Sequence, residues 1–149
     1  MVQKFRERSN GEGGFTLVEL LVVMLILGLL AAIAIPSIFN QRDKAKDADA
    51  KAAVRTAQTA METIATDNPD GEYVNADGSA VLAADLQAIE ETLDVDALTT
   101  VTGGADSYTL EVTSDTDNTF RIIRAAGTVT YPCDDVGVGG CPQNGEWAQ

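Results

Sequence analysis

From Leu20 to Ile35 the chain runs through sixteen consecutive residues with no charged or polar side chain, Gly28 included. The surrounding apolar stretch extends from Phe15 to Ile35 and is broken only by Thr16 and Glu19. At about 1.5 Å of helix rise per residue, its 21 residues just cross a hydrocarbon core of about 30 Å. A 149-residue chain is of one-domain size. One end of it therefore belongs in lipid or in the apolar core of an assembly.

Residues 1–14 are polar, glycine-rich and slightly basic, with no periodicity that could bury a face. They read as a processed leader. After Pro36 the composition changes to an alanine-rich, charged stretch from Ser37 to Thr66 with no Gly and no further Pro. Ala50, Val54, Ala57, Met61 and Ile64 recur at spacings of four and three, which predicts one apolar stripe on a continuing helix. Asp47 and Lys51 stand four apart as a favourable helix-surface pair, while Arg42, Lys46, Arg55 and Glu62 flank the stripe or lie away from it. Asp67-Asn68-Pro69-Asp70-Gly71 supplies the stop.

Beyond it, Ala80 to Leu93 keeps helical spacing at Leu82, Leu86, Ile89 and Leu93, with Ser79 as its expected cap. Past Gly103-Gly104 the period becomes two. Tyr108, Leu110 and Val112 alternate with Thr109, Glu111 and Thr113, and strand-like runs follow at Phe120 to Ala125 and Thr128 to Tyr131. Asp115-Thr116-Asp117-Asn118 and Ala126-Gly127 are the turns between them. An antiparallel sheet of about three strands cannot stand alone, so the helix stripe is its expected partner.

Charge excludes some functions. Residues 67–149 hold sixteen acidic side chains against Arg121 and Arg124 alone, an anionic surface that repels phosphates and lacks the basic stripe of a nucleic-acid binder. The chain has no histidine, no nucleophile motif and no phosphate-cradling glycine loop, so neither an enzyme nor a cofactor is expected. Its two cysteines, Cys133 and Cys141, are too few for zinc. A short disulfide loop is the better reading than two unpaired thiols. Closing it contributes about 2.5 kcal/mol by chain entropy and requires an oxidising space.

Glu19 is the most informative residue, because a carboxylate at membrane depth costs about 2.5 to 3.5 kcal/mol even on the gentler insertion scale. Proximity to the helix start and its dipole explains how such an acid is tolerated. It does not explain why the acid is there. Gly13-Gly14-Phe15-Thr16-Leu17-Val18-Glu19-Leu20-Leu21 resembles the type III signal sequence of type IV prepilins and type II secretion pseudopilins.

That resemblance implies cleavage between Gly14 and Phe15 by a membrane prepilin peptidase, followed by N-methylation of Phe15. It also gives Glu19 a partner, the Phe15 amine of a neighbouring subunit, so that Glu19 sets axial register. Pro36 matches the family's proline, and with Gly28 it brackets a helical segment weakened by about 3 and 1 kcal/mol relative to Ala. Calcium is bound by some pseudopilins, and Asp115, Asp117 and Asn118, like Asn75 and Asp77, cluster oxygen ligands. Such short clusters fall below the six oxygens that calcium takes, so turns are the expected role and no metal is assigned.

The expected architecture is an α+β pilin fold: a long N-terminal helix with a transmembrane first half, packed on the small antiparallel sheet. Its parts are the leader 1–14, the membrane or filament-core helix 15–36, the amphipathic helix 37–66 and the acidic region 67–149 with its disulfide loop. The expected partners are copies of the chain, the prepilin peptidase and a pilus or secretion assembly machine. Flanking charge does not orient the segment, since Lys4, Arg6 and Arg8 balance Arg42, Lys44 and Lys46. The disulfide places the C-terminal region outside the cytoplasm, first as a single-pass membrane protein and then in a surface or extracytoplasmic filament. The rival is a secreted acidic domain released after a signal peptide, with cleavage at Ala32-Ile33-Ala34. Within the family, the pseudopilin of a secretion system is the alternative to a pilus subunit.

Overall fold

The structure, a computed structural model, describes residues 14–148. Apart from Gly14, the expected leader lies outside the described residues, as do Lys4, Arg6, Arg8 and Gly13. Helix α1 runs over Leu17–Asp67 and contains Pro36. It contributes to two compact units, one ending at Ser37 and the other starting at Ile38.

In the first unit every large apolar side chain from Leu17 to Ile35 is exposed, and the helix is long and apolar enough to cross a membrane. Pro36 lacks the amide that would otherwise bond one turn back, yet the helix continues through it.

In the second unit Ala50, Val54, Ala57, Ala60, Met61 and Ala65 of α1 are buried in one cluster with Tyr108, Leu110, Val112, Phe120 and Ile122 of the sheet. The expected stripe is thus the buried face, with Ile64 at its edge. Small alanines at four of these positions let the sheet approach the helix closely. The strands β1 (Leu98–Gly103), β2 (Tyr108–Thr113), β3 (Thr119–Ala125) and β4 (Thr128–Thr130) form an antiparallel meander in chain order. Period-two alternation puts Leu110 opposite Ile122 and Val112 opposite Phe120 on the helix-facing side. On the other side Glu111 opposes Arg121, whose guanidinium pairs with Glu111 at 2.5 Å and with Asp134 at 2.6 Å.

The sheet has four strands rather than about three. The additional strand, β1, is threonine-rich, has no fully buried residue, and shifts register between Leu98 and Thr100. Those features erase the apolar alternation while leaving the β-branched propensity that an edge strand needs. Its last residue has to be glycine, because a Cβ at Gly103 would lie 1.9 Å from the Tyr73 carbonyl oxygen.

The expected helix over Ala80 to Leu93 is shorter, α2 at Ala83–Ile89, and Ser79 does not cap it. The Leu82 amide donates instead to Asp85 Oδ2, at 2.8 Å, while Ser79 belongs to the preceding turn through its bond to Asp77. Leu86 and Leu93 are buried, but Leu82 and Ile89 face outward, so the apolar spacing does not mark a single buried face. A short 3-10 turn at Val95–Ala97 leads into β1.

Phe120 is fully buried and meets the single tryptophan, Trp147, edge-on at 6.1 Å. Phe120→Ala should lower stability by about 3 to 5 kcal/mol through lost burial and the cavity left behind. Urea unfolding of the detergent-solubilised chain, followed by Trp147 fluorescence, checks this; an unchanged midpoint would show that the ring is not part of the core.

Candidate assembly site

The first site lies at the start of α1. Thr16 and Glu19 form a reciprocal cap: Glu19 Oε2 accepts from the Thr16 amide at 2.8 Å and from the Thr16 hydroxyl at 2.9 Å. The Glu19 amide donates back to Thr16 Oγ1 at 3.2 Å. This Thr-x-x-Glu box satisfies amides that a helix start leaves unpaired, and it places the acid at the positive end of the helix dipole. Phe15 is 83 % exposed beside it. The box adds Thr16 to the functional candidates, and its Thr-x-x-Glu pattern is legible in the sequence. Gly28 lies mid-helix with no neighbour within 4 Å of where a Cβ would stand.

The second site joins α1 to the C-terminal loops. Asp47 is fully buried, not half of a surface pair. Its carboxylate accepts from Ser114 Oγ at 2.6 Å, Thr116 Oγ1 at 2.5 Å and the Gly140 amide at 2.6 Å. Lys51 does not bridge to it directly. Its ammonium donates to the Gly140 carbonyl at 2.5 Å and lies over the Phe120 ring at 5.1 Å. Both backbone groups of Gly140 are thus held by residues one helical turn apart.

The approach requires two glycines. Gly139 has φ +55, and a Cβ there would lie 2.3 Å from Asp47 Oδ2; one at Gly140 would lie 2.8 Å from Asp47 Cβ. Burial alone would raise the Asp47 carboxyl, but the bonds from Ser114, Thr116 and the Gly140 amide outweigh it and hold it below the ordinary aspartyl range. Burial lowers the Lys51 ammonium, and the nearby Asp47 charge opposes that effect.

Cys133 and Cys141 are joined in a disulfide with Cα atoms 5.8 Å apart. The loop is anchored further where the Cys133 amide donates to the Gly145 carbonyl and where Trp147 Nε1 donates to the Arg121 carbonyl, at 2.9 and 3.0 Å. Trp147 also meets Tyr131 edge-on at 5.3 Å, with the Arg55 guanidinium 5.0 Å from the indole centre. Asp115, Asp117 and Asn118 lie in the β2–β3 turn, closed by the Ser114 amide on the Asn118 carbonyl at 2.9 Å. Asn118 is buried and its Oδ1 accepts from the Asp135 amide at 3.2 Å, while its Nδ2 has no partner. Asn75 and Asp77 order a separate turn through Ser79.

Several known proteins are similar to this chain in sequence. Residues 9–35 match the family described as the prokaryotic N-terminal methylation motif. The chain is 39% identical over 57 residues to the type II secretion system core protein G of Pseudomonas aeruginosa, covering 38% of this chain and 40% of that protein. It is 39% identical over 62 residues to the type IV major pilin protein PilA of Myxococcus xanthus, covering 42% of this chain and 27% of that one. With the type IV narrow pilus major component PilA5 of Thermus thermophilus it shares 30% identity over 102 residues, 65% of this chain and 84% of that protein. The first two matches span well under two thirds of those proteins' lengths. No solved structure matches significantly. The chain belongs to the family of type IV pilins and type II secretion pseudopilins.

Asp47→Asn should cost about 1 to 3 kcal/mol at neutral pH, since it weakens charge-assisted bonds in a buried setting. Because the folded carboxyl titrates below its unfolded value, its stabilisation is complete above the ordinary aspartyl range and disappears as pH falls through the lower, folded value. Wild type should therefore approach the variant in strong acid. Urea midpoints of both chains at pH 7 and at about pH 2 test this; a gap that stays constant would remove the charge from the clamp.

Proposed function

We propose that the chain is a structural subunit of a type IV pilus-like filament, cut between Gly14 and Phe15 and polymerised through the first part of α1. The observation that carries the proposal is Glu19, a lone acid in the first turn of the apolar first part of α1, five positions into the chain that cleavage would leave. In the single chain Thr16 satisfies its hydrogen bonds, but no described cation neutralises it. Cleavage creates that cation at Phe15. Intrachain pairing is available to every copy, whereas pairing to a neighbour's amine in an apolar core compensates two costly charges and selects one offset.

The fully exposed apolar stretch of α1 supports storage in the membrane before assembly, and the Cys133–Cys141 disulfide supports an oxidising space for the C-terminal region. Residues 1–14 would be the leader, 15–36 the membrane and filament-core helix, 37–66 the amphipathic half and 67–149 the acidic region. Pro36 and Gly28 would allow local loosening of the helix as it leaves lipid. The partners are copies of itself, a prepilin peptidase and an assembly machine, and the role is structural rather than enzymatic. A pilus is favoured over a secretion pseudopilus because the narrow-pilus component is matched over 84% of its length and the secretion core protein over 40%.

Mass spectrometry of the subunit from sheared surface fibres should find N-methylated Phe15 as the first residue. A first residue at Ile35, or a retained leader, would contradict the proposal. Glu19→Ala should leave membrane insertion intact, or ease it, and reduce fibre yield at least tenfold; normal fibres would remove the register role.

A further inference from the structure

The cations of the second unit divide into two groups. Arg121 and Arg124 are ion-paired, Lys51 is bonded to Gly140, and Lys51 and Arg55 lie over aromatic rings. Arg42, Lys44 and Lys46 are exposed and, among the described residues, have no side-chain hydrogen bond or ion pair. They form a collar on α1, interrupted by the single acid Asp43.

The other end of the same helix has the opposite character. Its last turn contains no basic residue, although a helix C-terminus carries about half a negative charge and is ordinarily complemented by cations. Asp67 stands in that turn instead, Asp70 and Glu72 follow, and no Lys or Arg occurs between Arg55 and Arg121. Asp67 and Asp70 are exposed and Glu72 is half-exposed. A positive pole and a negative pole are thus held 23 residues apart on one helix, about 35 Å along its axis.

A chain cannot join its own two poles across that span. A parallel, axially displaced second copy can. Resting on the filament reading above, we propose that the collar Arg42, Lys44 and Lys46 of one subunit docks on Asp67, Asp70 and Glu72 at the α1 C-terminus of a neighbouring copy. The contact is head-to-tail, so it propagates along a fibre instead of closing as a dimer. It also opposes the repulsion expected when acidic regions are packed side by side, and like-charged poles disfavour an unshifted parallel arrangement; the parallel orientation is that of the filament reading, and the displaced copy is a more distant neighbour than the one whose Phe15 meets Glu19. The alternative occupant of the collar is an anionic lipid headgroup. The copy is preferred because both complementary halves are present on the same chain and, among the described residues, unpartnered.

Zero-length carbodiimide cross-linking of fibres from the full chain tests the contact directly, since it joins an amine to a carboxylate only where they touch. Peptides linking Lys44 or Lys46 to Asp67, Asp70 or Glu72 are expected, and the intrachain distance makes such links intermolecular. Links from these lysines only to other acids, or none at all, would overturn the inference. In parallel, the combined variant Arg42→Glu, Lys44→Glu and Lys46→Glu should lose at least tenfold in fibre yield while keeping its disulfide and protease resistance. Adding Asp67→Lys, Asp70→Lys and Glu72→Lys to that chain should restore at least half the yield.

Normal fibres from the collar variant, or no recovery in the combined one, would refute the docking contact alone. Loss of the collar variant from the membrane fraction at unchanged synthesis would assign the collar to lipid and refute it as well. Absence of fibres from the wild-type chain would instead overturn the filament reading, and the docking contact with it.

Discussion

A single carboxylate at the head of an apolar helix sets the terms for the whole molecule. Glu19 cannot be placed in hydrocarbon without compensation, and within one chain it has only the Thr16 amide and hydroxyl to bond. Those bonds cap the helix and lower the cost of burying the acid, but they leave its charge unneutralised. On the proposed reading, the chain is stored in this state and a neighbour's amine supplies the missing cation.

The second unit solves a different problem, which is holding a long helix against a small sheet without a large core. Alanines at Ala50, Ala57, Ala60 and Ala65 bring the sheet close, and Phe120, Met61 and Leu110 fill the space that remains. The last loops add Trp147 and the buried cysteine pair to the core. They are held besides by specific attachments: Asp47 and Lys51 bind the two backbone groups of Gly140, the disulfide closes Cys133 to Cys141, and Trp147 is pinned to β3. Buried charge is tolerable in this setting because donors surround the Asp47 oxygens.

Patterns that depend on neighbours in sequence were legible before the structure. The apolar run, the stripe from Ala50 to Ile64, the alternation from Tyr108 to Val112 and the turn residues between strands each follow from a period or a backbone preference. Contacts made by folding were not. Asp47 and Lys51 obey the helix-pair spacing yet turn towards Gly140, 89 residues beyond Lys51, and only Gly139-Gly140 beside Cys141 hinted that something must approach closely there. Strand β1 was hidden because threonines at a sheet edge carry no burial signal, and α2 was overdrawn because Leu82 and Ile89 share helical spacing with buried leucines but face outward. The Thr16–Glu19 cap is legible as a Thr-x-x-Glu motif, but an acid so placed in an apolar run fits a capping and an assembly role equally.

The most direct measurement is of the distance between the Glu19 carboxylate and a neighbour's N-terminal nitrogen inside the fibre. Fibres co-assembled from one population labelled with carbon-13 at glutamate Cδ and another labelled with nitrogen-15 at phenylalanine would be examined by solid-state magnetic resonance. An ion pair at the subunit junction predicts a dipolar contact between populations, at about 4 Å or less, to the distinct methylated Phe15 nitrogen. Well-ordered fibres in which that nitrogen shows no such intermolecular contact would contradict it.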